Sequence, residues 1–293
     1  MMKPLFKWTG GKNKMFGHYA PYFYPNDDFE TFVDAFCGAG AASIWIASRY
    51  PNVKFILNDF NGEMMSLYRQ LSEDGDQFIR KAIVVQNKFR SYTELEDKKR
   101  YYEELKYRHI DQRDDPMDEA VQLYVMLRAN FNGWWKIYNY SKGRYATPAG
   151  ILDKTNLISV RDLKMWSIFL STRCTLLNGD FDGVVKHIKD KSYVYFDPPY
   201  RDSTTVYTED DFDEDDQIRL CELSETLSQQ GHYVGYSNKE IGDGFFQKHL
   251  PTFNHNFFDV NYSAGRGTSY NPASEILATN FNQGVVGLEE FFE

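Results

Sequence analysis

The spacing of hydrophobic and polar positions changes along this chain, and the changes mark out its elements. Thr31-Phe32-Val33-Asp34-Ala35-Phe36 is a short β-branched and aromatic run that predicts a strand. Cys37-Gly38-Ala39-Gly40 reads as a tight turn, and Ala41 to Arg49 predicts a helix with Ile44, Ala47 and Ser48 on one face. Val53 to Leu57 predicts a second strand closing at Asn58-Asp59, which completes a βαβ unit. From Glu63 to about Tyr124 the spacing is helical and strongly charged, whereas Met126 to Gly150, rich in Asn, Gly and aromatics, reads as irregular. Strand patterns resume at Cys174 to Asp180 and Tyr193 to Phe196. A helix near Asp213 to Gln230, a strand at His232 to Tyr236, and late strands at Phe253 to Tyr262 and Glu275 to Asn280 follow. This order predicts an α/β domain built from residues 1–62 and 171–293, interrupted by a mainly helical module at 63–170.

Composition narrows the class. The 293 residues include 23 Phe and 21 Tyr, enough for a full core and exposed stacking surfaces. Three widely spaced cysteines (Cys37, Cys174, Cys221), no CxxC pair and only 6 His suggest neither a disulfide framework nor a metal site. No segment resembles a signal core or the roughly 18 apolar residues of a membrane span, so a soluble, cytoplasmic protein is expected. The net charge of −9 argues at first against nucleic acid, but its distribution does not. Between Met126 and Arg173 there are eight bases (Arg128, Lys136, Lys142, Arg144, Lys154, Arg161, Lys164, Arg173) and two acids (Asp153, Asp162). A local positive field guides a polyanion more than the total charge does. The acidic run Glu209 to Asp216 reads as a solvated helix start.

The most informative residues are Asp197-Pro198-Pro199-Tyr200, at the end of the aromatic strand. Two prolines force the chain out of the sheet in a stiff, extended segment. A carboxylate, a proline carbonyl and an aromatic ring are thereby presented at the carboxyl end of a strand, where open α/β sheets bind ligands. Two acceptors beside a flat ring suit a planar amine. Phe36-Cys37-Gly38-Ala39-Gly40 adds a Gly-x-Gly turn after Asp34, which permits a sharp turn and close approach of a ligand. Asp59 lies at the end of the next strand, where an acid binds ribose hydroxyls. Ser43 stands where a third glycine would complete a dinucleotide fingerprint, which disfavours a nicotinamide and favours another adenosine-bearing cofactor. Taken alone, a simple strand-to-helix turn explains these glycines equally well.

Several weaker signals accompany them. In Lys7-Trp8-Thr9-Gly10-Gly11-Lys12 the Gly pair offers backbone N–H groups to a carboxylate, with Lys12 as counter-charge; a flexible arm is the alternative. Asp180 can bond a cofactor adenine with Phe181 beside the ring, or simply cap a helix. Asn130-Phe131-Asn132-Gly133-Trp134-Trp135-Lys136 combines amides, aromatics and a base that can read base edges or fill a gap in a stack, or forms a packed turn. Lys142 and Arg144 are candidate phosphate contacts, and Lys7 and Arg128 join them as candidate nucleic-acid contacts. Ser237-Asn238 either lines the same crevice or caps a turn.

In order, these motifs resemble the Dam-like, α-group DNA adenine-N6 methyltransferases: a cofactor motif, then a target-recognition module, then DPPY. Lys7 to Lys12 resembles that family's KWxGGK segment, and Asn58-Asp59 its acidic cofactor motif. Phe131-Asn132-Gly133 and Gly143 through Pro148 to Gly150 resemble its recognition signature, and Ser237-Asn238 and Glu275-Ile276-Leu277 its late segments. The resemblance implies a Rossmann-like methyltransferase sheet, S-adenosylmethionine as methyl donor and double-stranded DNA as substrate. Trp8, Gly10, Lys12, Asp59 and Asp197 are then expected at the cofactor, in a site shaped by Asp34, Phe36, Gly38 and Gly40. Lys136 stands where the family often carries Arg, and lysine cannot reproduce a bidentate fork to guanine. Trp134 and Trp135 replace smaller residues, so the family's usual GATC target is not carried over.

The expected chemistry is direct methyl transfer to a base flipped out of the duplex. Tyr200 stacks on the base, while Asp197 and the Pro198 carbonyl accept from its amine. Cys37 is not expected to act as a nucleophile. Cytosine-N4 methylation, an RNA substrate, a non-catalytic nucleic-acid binder and, last, a nicotinamide oxidoreductase remain as alternatives.

Overall fold

A computed structural model describes residues 2–8, 12, 15–111, 115–131, 137–139, 144–145, 148–150, 157–201, 212–261 and 272–282. Gly10, Asn132, Lys136 and Lys142 lie outside the described residues. The main sheet has seven strands in the order β5-β2-β1-β6-β7-β9-β8. They are β1 (Thr31–Asp34), β2 (Lys54–Asp59), β5 (Cys174–Asn178), β6 (Ser192–Phe196), β7 (Tyr233–Glu240), β8 (Asn254–Asn261) and β9 (Pro272–Thr279). β5, β2, β1, β6 and β7 are parallel, and β9 enters antiparallel between β7 and β8. Each strand expected from the sequence is present within a few residues.

Both faces of the central parallel strands β2, β1, β6 and β7 are largely covered, which explains their apolar runs, whereas the edge strand β5 has no fully buried residue. All five residues of β6 are buried. Its alternate side chains feed two separate cores. Tyr193 and Tyr195 join Phe32 and Phe55 on one face, and Val194 and Phe196 join Val33 and Ile56 on the other. The first face is packed by α1 (Phe16–Phe23), α2 (Ala41–Arg49) and the helices between β2 and β5. The second is packed by a 3-10 helix (Phe181–His187), α8 (Glu214–Gln229) and α9 (Phe245–His249).

The segment between β2 and β5 holds α3 (Gly62–Glu73), α4 (Gly75–Ser91), α5 (Leu95–Asp111), α6 (Pro116–Ala129) and α7 (Val160–Arg173). Asn61, Asp74, Asp115 and Ser159 cap α3, α4, α6 and α7 through side-chain acceptors, each cap contributing about 1 kcal/mol. α3 and α7 pack against each other and against β5, and their core residues are continuous with those of the sheet.

The structure corrects two readings and adds one helix. In α2 the buried stretch is Ala41 to Ile46, while Ala47 is half-buried and Ser48 exposed. This helix lies deep enough under the turn to be covered on several sides, so one stripe does not describe it. The stretch expected to be irregular begins inside α6 and contains the paired strands β3 (Ile137–Asn139) and β4 (Arg144–Tyr145). Helix α1, in a segment for which no element was read, carries Pro21 within it.

The chain builds β1, then β2 and β5 to one side, and then crosses to β6 on the other side of β1. The strand order therefore reverses between β1 and β6, and the crevice outside their carboxyl ends is the place where such sheets bind ligands. After β1 the turn runs through Gly38 (φ +46) and Gly40 (φ +74). A Cβ on Gly40 would stand 2.5 Å from the Trp166 ring of α7. Gly40→Ala is expected to destabilise the fold by about 2–4 kcal/mol through left-handed strain plus overpacking, read from urea unfolding. Gly242→Ala, with φ +79 and nothing within 4 Å of its Cβ, is expected to show only the strain, about 1 kcal/mol.

Candidate active site

The carboxyl ends of β1, β2, β6 and β7 bring four motifs together. Asp34 ends β1 beside Tyr195 of β6, and the Ala35 N–H donates to the Tyr195 carbonyl at 3.2 Å. The glycine turn is fastened from three sides. The Asp59 carboxylate accepts from the Gly38 N–H at 2.9 Å, the Tyr68 hydroxyl donates to the Gly38 carbonyl at 2.7 Å, and the Cys37 N–H donates to Asn58 O at 2.8 Å. Trp8 lies over Gly38 as Trp166 lies over Gly40, so the space these glycines open is shared with two protein rings. Asn58, buried at the end of β2, donates to the carbonyls of Ala35 and Gly179 and ties three strand ends together.

Asp197 lies just beyond β6. Its Oδ1 accepts from Lys12 Nζ at 2.5 Å and from the Ser237 hydroxyl at 3.0 Å. Lys12 is 3% exposed and Asp197 18%. The same ammonium donates to the Tyr200 hydroxyl at 2.6 Å and stands 4.5 Å from the centre of its ring. Tyr200 donates onward to Glu275 Oε1 at 2.8 Å, and Tyr19 donates to Glu275 Oε2 at 2.7 Å. Ser237 and the Tyr195 hydroxyl are 2.8 Å apart. The sequence reading placed Lys12, Asp197 and Tyr200 in the site. Ser237 entered as a candidate lining of the crevice or a turn cap, Glu275 only as a motif position, and Tyr19, Tyr68, Ser43 and Gln217 were missed. An acid flanked by Ala273-Ser274 and Ile276-Leu277 in a strand was the one local signal for Glu275.

Burial dominates the electrostatics. It pushes the Asp34 carboxyl up to about 7, against the opposing hydrogen bond from Ser43 at 2.6 Å. It also raises Asp59, opposed by the N–H groups of Asn61 and Gly38, and Asp197, opposed by the Lys12 charge. The Cys37 thiol is likewise driven up by burial, which removes the thiolate a nucleophile needs.

The remaining expected residues are distributed as follows. Phe36 is half-buried and stacks on Phe181 (centroids 5.7 Å apart), which is buried. Asp180 caps the 3-10 helix and pairs with Arg219 at 2.8 Å, whose guanidinium covers the Phe181 ring. Phe60, next to Asp59, is 51% exposed at the same rim and was not singled out from the sequence. Lys7 is exposed. Arg128 donates to the carbonyls of Leu157 (2.7 Å) and Leu5 (3.2 Å), and Asn130 is buried at the end of α6 in a bridge with Ala149. Arg144 begins β4. Among the described residues no group of three His, Cys, Asp or Glu is placed to hold a metal ion, and no helix is long and apolar enough to cross a membrane.

A seven-stranded α/β sheet with a glycine turn after one central strand and an Asp-Pro-Pro-Tyr segment after its neighbour is consistent with a methyltransferase fold. The model of the D12 class N6 adenine-specific DNA methyltransferases matches residues 8–264, and the chain belongs to that family. It is 30% identical to the type II methyltransferase M1.LlaDCHI of Lactococcus lactis subsp. cremoris, over 96% of each chain. It is also 30% identical to the type II methyltransferase M.MjaIII of Methanocaldococcus jannaschii, over 86% of this chain and 89% of the relative. The DNA adenine methylase of Escherichia coli is 23% identical over 85% of this chain and 78% of its own.

Because folding raises the Asp34 carboxyl from 3.8 to about 7, the folded state holds its proton longer than the unfolded chain. The stability this proton provides is full below pH 4 and is lost as pH rises through about 7. Asp34→Asn keeps an acceptor for Ser43 and removes the titration. The stability of the variant relative to the parent is expected to rise between pH 5 and pH 8, by on the order of 2–3 kcal/mol, in urea unfolding at the two pH values.

Proposed function

We propose that the protein transfers a methyl group from S-adenosylmethionine to N6 of an adenine turned out of double-stranded DNA. The observation that carries this reading is the meeting of the glycine turn after β1 with Asp197 to Tyr200 after β6, on adjacent strands. The family settles adenine over cytosine and DNA over RNA. The crevice suits the cofactor chemically. Asp59, at the end of β2, offers acceptors for ribose hydroxyls, the turn at Gly38 leaves the backbone bare, and Phe36 and the exposed Phe60 offer faces to an adenine. Asp180 supplies a further acceptor at the rim. Trp8, Gly10 and Lys12 would form the wall at its amino-acid end. When bound, the cofactor supplies an electrophilic methyl group carried on a sulfonium.

This chain's residues then act by positioning. Tyr200 offers a ring for the extruded base to stack on. Asp197 and the Pro198 carbonyl accept from the two N6 hydrogens, which draws the nitrogen lone pair out of conjugation with the ring. Lys12 now holds the Asp197 oxygen and lies over Tyr200, where that amine would bind, so the ammonium has to give way to the base. A carboxylate on the cofactor gives it an alternative partner. Residues 63–170 are proposed as the target-recognition part, with Lys7, Asn132, Lys136, Lys142 and Arg144 toward DNA. Arg128 and Asn130, each held by its neighbours, would shape that surface rather than read bases. A DNA substrate suits a cytoplasmic enzyme, in which free thiols at Cys37, Cys174 and Cys221 persist.

The test is to incubate the protein with labelled S-adenosylmethionine and unmethylated genomic DNA, and to map modified bases. N6-methyladenine within one short motif is expected, reduced at least about 100-fold in Asp197→Ala and retained in Cys37→Ala. A folded, cofactor-binding parent that leaves the DNA unmodified would overturn the reading.

Lys12→Met removes the charge that lowers Asp197, so the Asp197 carboxyl rises further. Because the carboxylate is the working form, the acidic limb of the kcat/KM profile, which reports the enzyme before the base displaces Lys12, is expected to move to higher pH. The ratio of variant to parent rates should then climb from mildly acidic to mildly alkaline pH; a flat ratio would show that Lys12 does not tune Asp197.

A further inference from the structure

We infer that Gln217, Asn238 and Glu275 are positioning residues that clamp Tyr200 on both sides of its backbone and at its hydroxyl. They would thereby fix the plane on which the target base is held. The inference rests on the proposed stacking role of Tyr200 and asks what sets that ring in place.

The two prolines fix their own φ, but neither fixes the torsions or side chain of Tyr200. Two peptide planes do. The Pro199 carbonyl, on the N-terminal side, accepts from Gln217 Nε2 at 2.8 Å. The Arg201 N–H, on the C-terminal side, donates to Asn238 Oδ1 at 3.0 Å. With both flanking peptides held, φ and ψ of Tyr200 are held. The hydroxyl, bonded to Glu275 Oε1 at 2.8 Å, fixes the far end of the ring. Three anchors from three elements (α8, β7 and β9) thus converge on one side chain.

The anchors are themselves rigid. Gln217 is 2% exposed, Asn238 0% and Glu275 1%. Gln217 Oε1 accepts from the Tyr236 hydroxyl at 2.7 Å and from Asn238 Nδ2 at 3.0 Å. With its oxygen so engaged, the amide can only present its nitrogen to Pro199. Asn238 Oδ1 also accepts from the Lys239 N–H at 2.7 Å, which orients that amide in turn. Glu275 is held by Tyr19. The Arg201 side chain, locked to Asp243 at 2.6 Å and 3.8 Å from the Phe245 ring centre, stops the chain from drifting beyond the clamp.

A loop held only for stability does not require this. Burying three polar side chains is favourable only if every bond is made, and an apolar contact would anchor the loop with less desolvation. What the network adds is direction. A base stacked on a ring that is free to tilt would present its amine off the line to the methyl donor, and misplacement by about 1 Å can lower a rate roughly 100-fold.

The experiment uses the full chain with S-adenosylmethionine and duplex DNA bearing its methylation site, once mapped. Gln217→Met, Glu275→Leu, Glu275→Gln and Tyr200→Ala are compared by single-turnover methylation, cofactor affinity and thermal melting. A 2-aminopurine at the target position reports how the base is stacked. Gln217→Met and Glu275→Leu are expected to bind cofactor as the parent does and to be folded at the assay temperature. They should methylate about 10–100-fold more slowly, with brighter 2-aminopurine because the base is less stacked. Glu275→Gln keeps an acceptor for the Tyr200 hydroxyl and should recover most of the rate. Should Gln217→Met fail to fold, the Glu275 pair decides. Full rate and unchanged 2-aminopurine in folded Glu275→Leu would overturn the clamp while Tyr200→Ala stays slow. Full rate in Tyr200→Ala would instead overturn the stacking role itself.

Discussion

Three acidic side chains, Asp34, Asp197 and Glu275, are gathered with Asp59 at the same edge of one buried sheet, and the site is organised by the need to compensate them. Asp34 and Glu275 are each 1% exposed, and one lysine, Lys12, is enclosed with them. Placing like charges in a medium of low polarisability is unfavourable unless each finds a donor. Each finds a different one. Asp34 has the Ser43 hydroxyl, Asp59 has backbone N–H groups, Asp197 has Lys12 and Ser237, and Glu275 has two tyrosine hydroxyls. Only Asp197 is compensated by a full charge, and that partner sits on an arm outside the sheet. It is therefore the carboxylate whose compensation depends most on where that arm lies.

The centre of the fold was legible because its middle strands are almost fully buried. Tyr193 to Phe196 has no polar residue, and a parallel strand covered on both faces has no other way to be written. The glycine turn and Asp197 to Tyr200 were legible for a different reason: each is contiguous, and its chemistry follows from adjacent residues. What the sequence hid depends on distance along the chain. Lys12 and Asp197 are 185 positions apart, and Tyr19 and Glu275 are 256. Such pairs leave no periodicity, and Tyr19 sits in a helix that Pro21 disguises. Gln217 looks like an ordinary helix amide until the Pro199 carbonyl is placed opposite it. The glycines were read as room for a ligand, whereas Trp8 and Trp166 show that two rings of the protein use part of that room.

Those two rings also tie the N-terminal arm to the helices between β2 and β5. Trp166 belongs to α7, stacks on Tyr68 of α3 with the rings 2° from parallel, and donates to the Lys3 carbonyl at 2.7 Å. Tyr68 in turn holds the Gly38 carbonyl. Arg128, at the end of α6, holds the carbonyls of Leu5 and Leu157. The N-terminal arm is thus fastened by the helices between β2 and β5 at Lys3 and Leu5. A few residues later it lays Trp8 over the glycine turn and Lys12 on Asp197. A packed interior transmits displacement because its side chains have no slack. The arm that pairs with Asp197 is therefore held by the same helices that pack against the glycine turn.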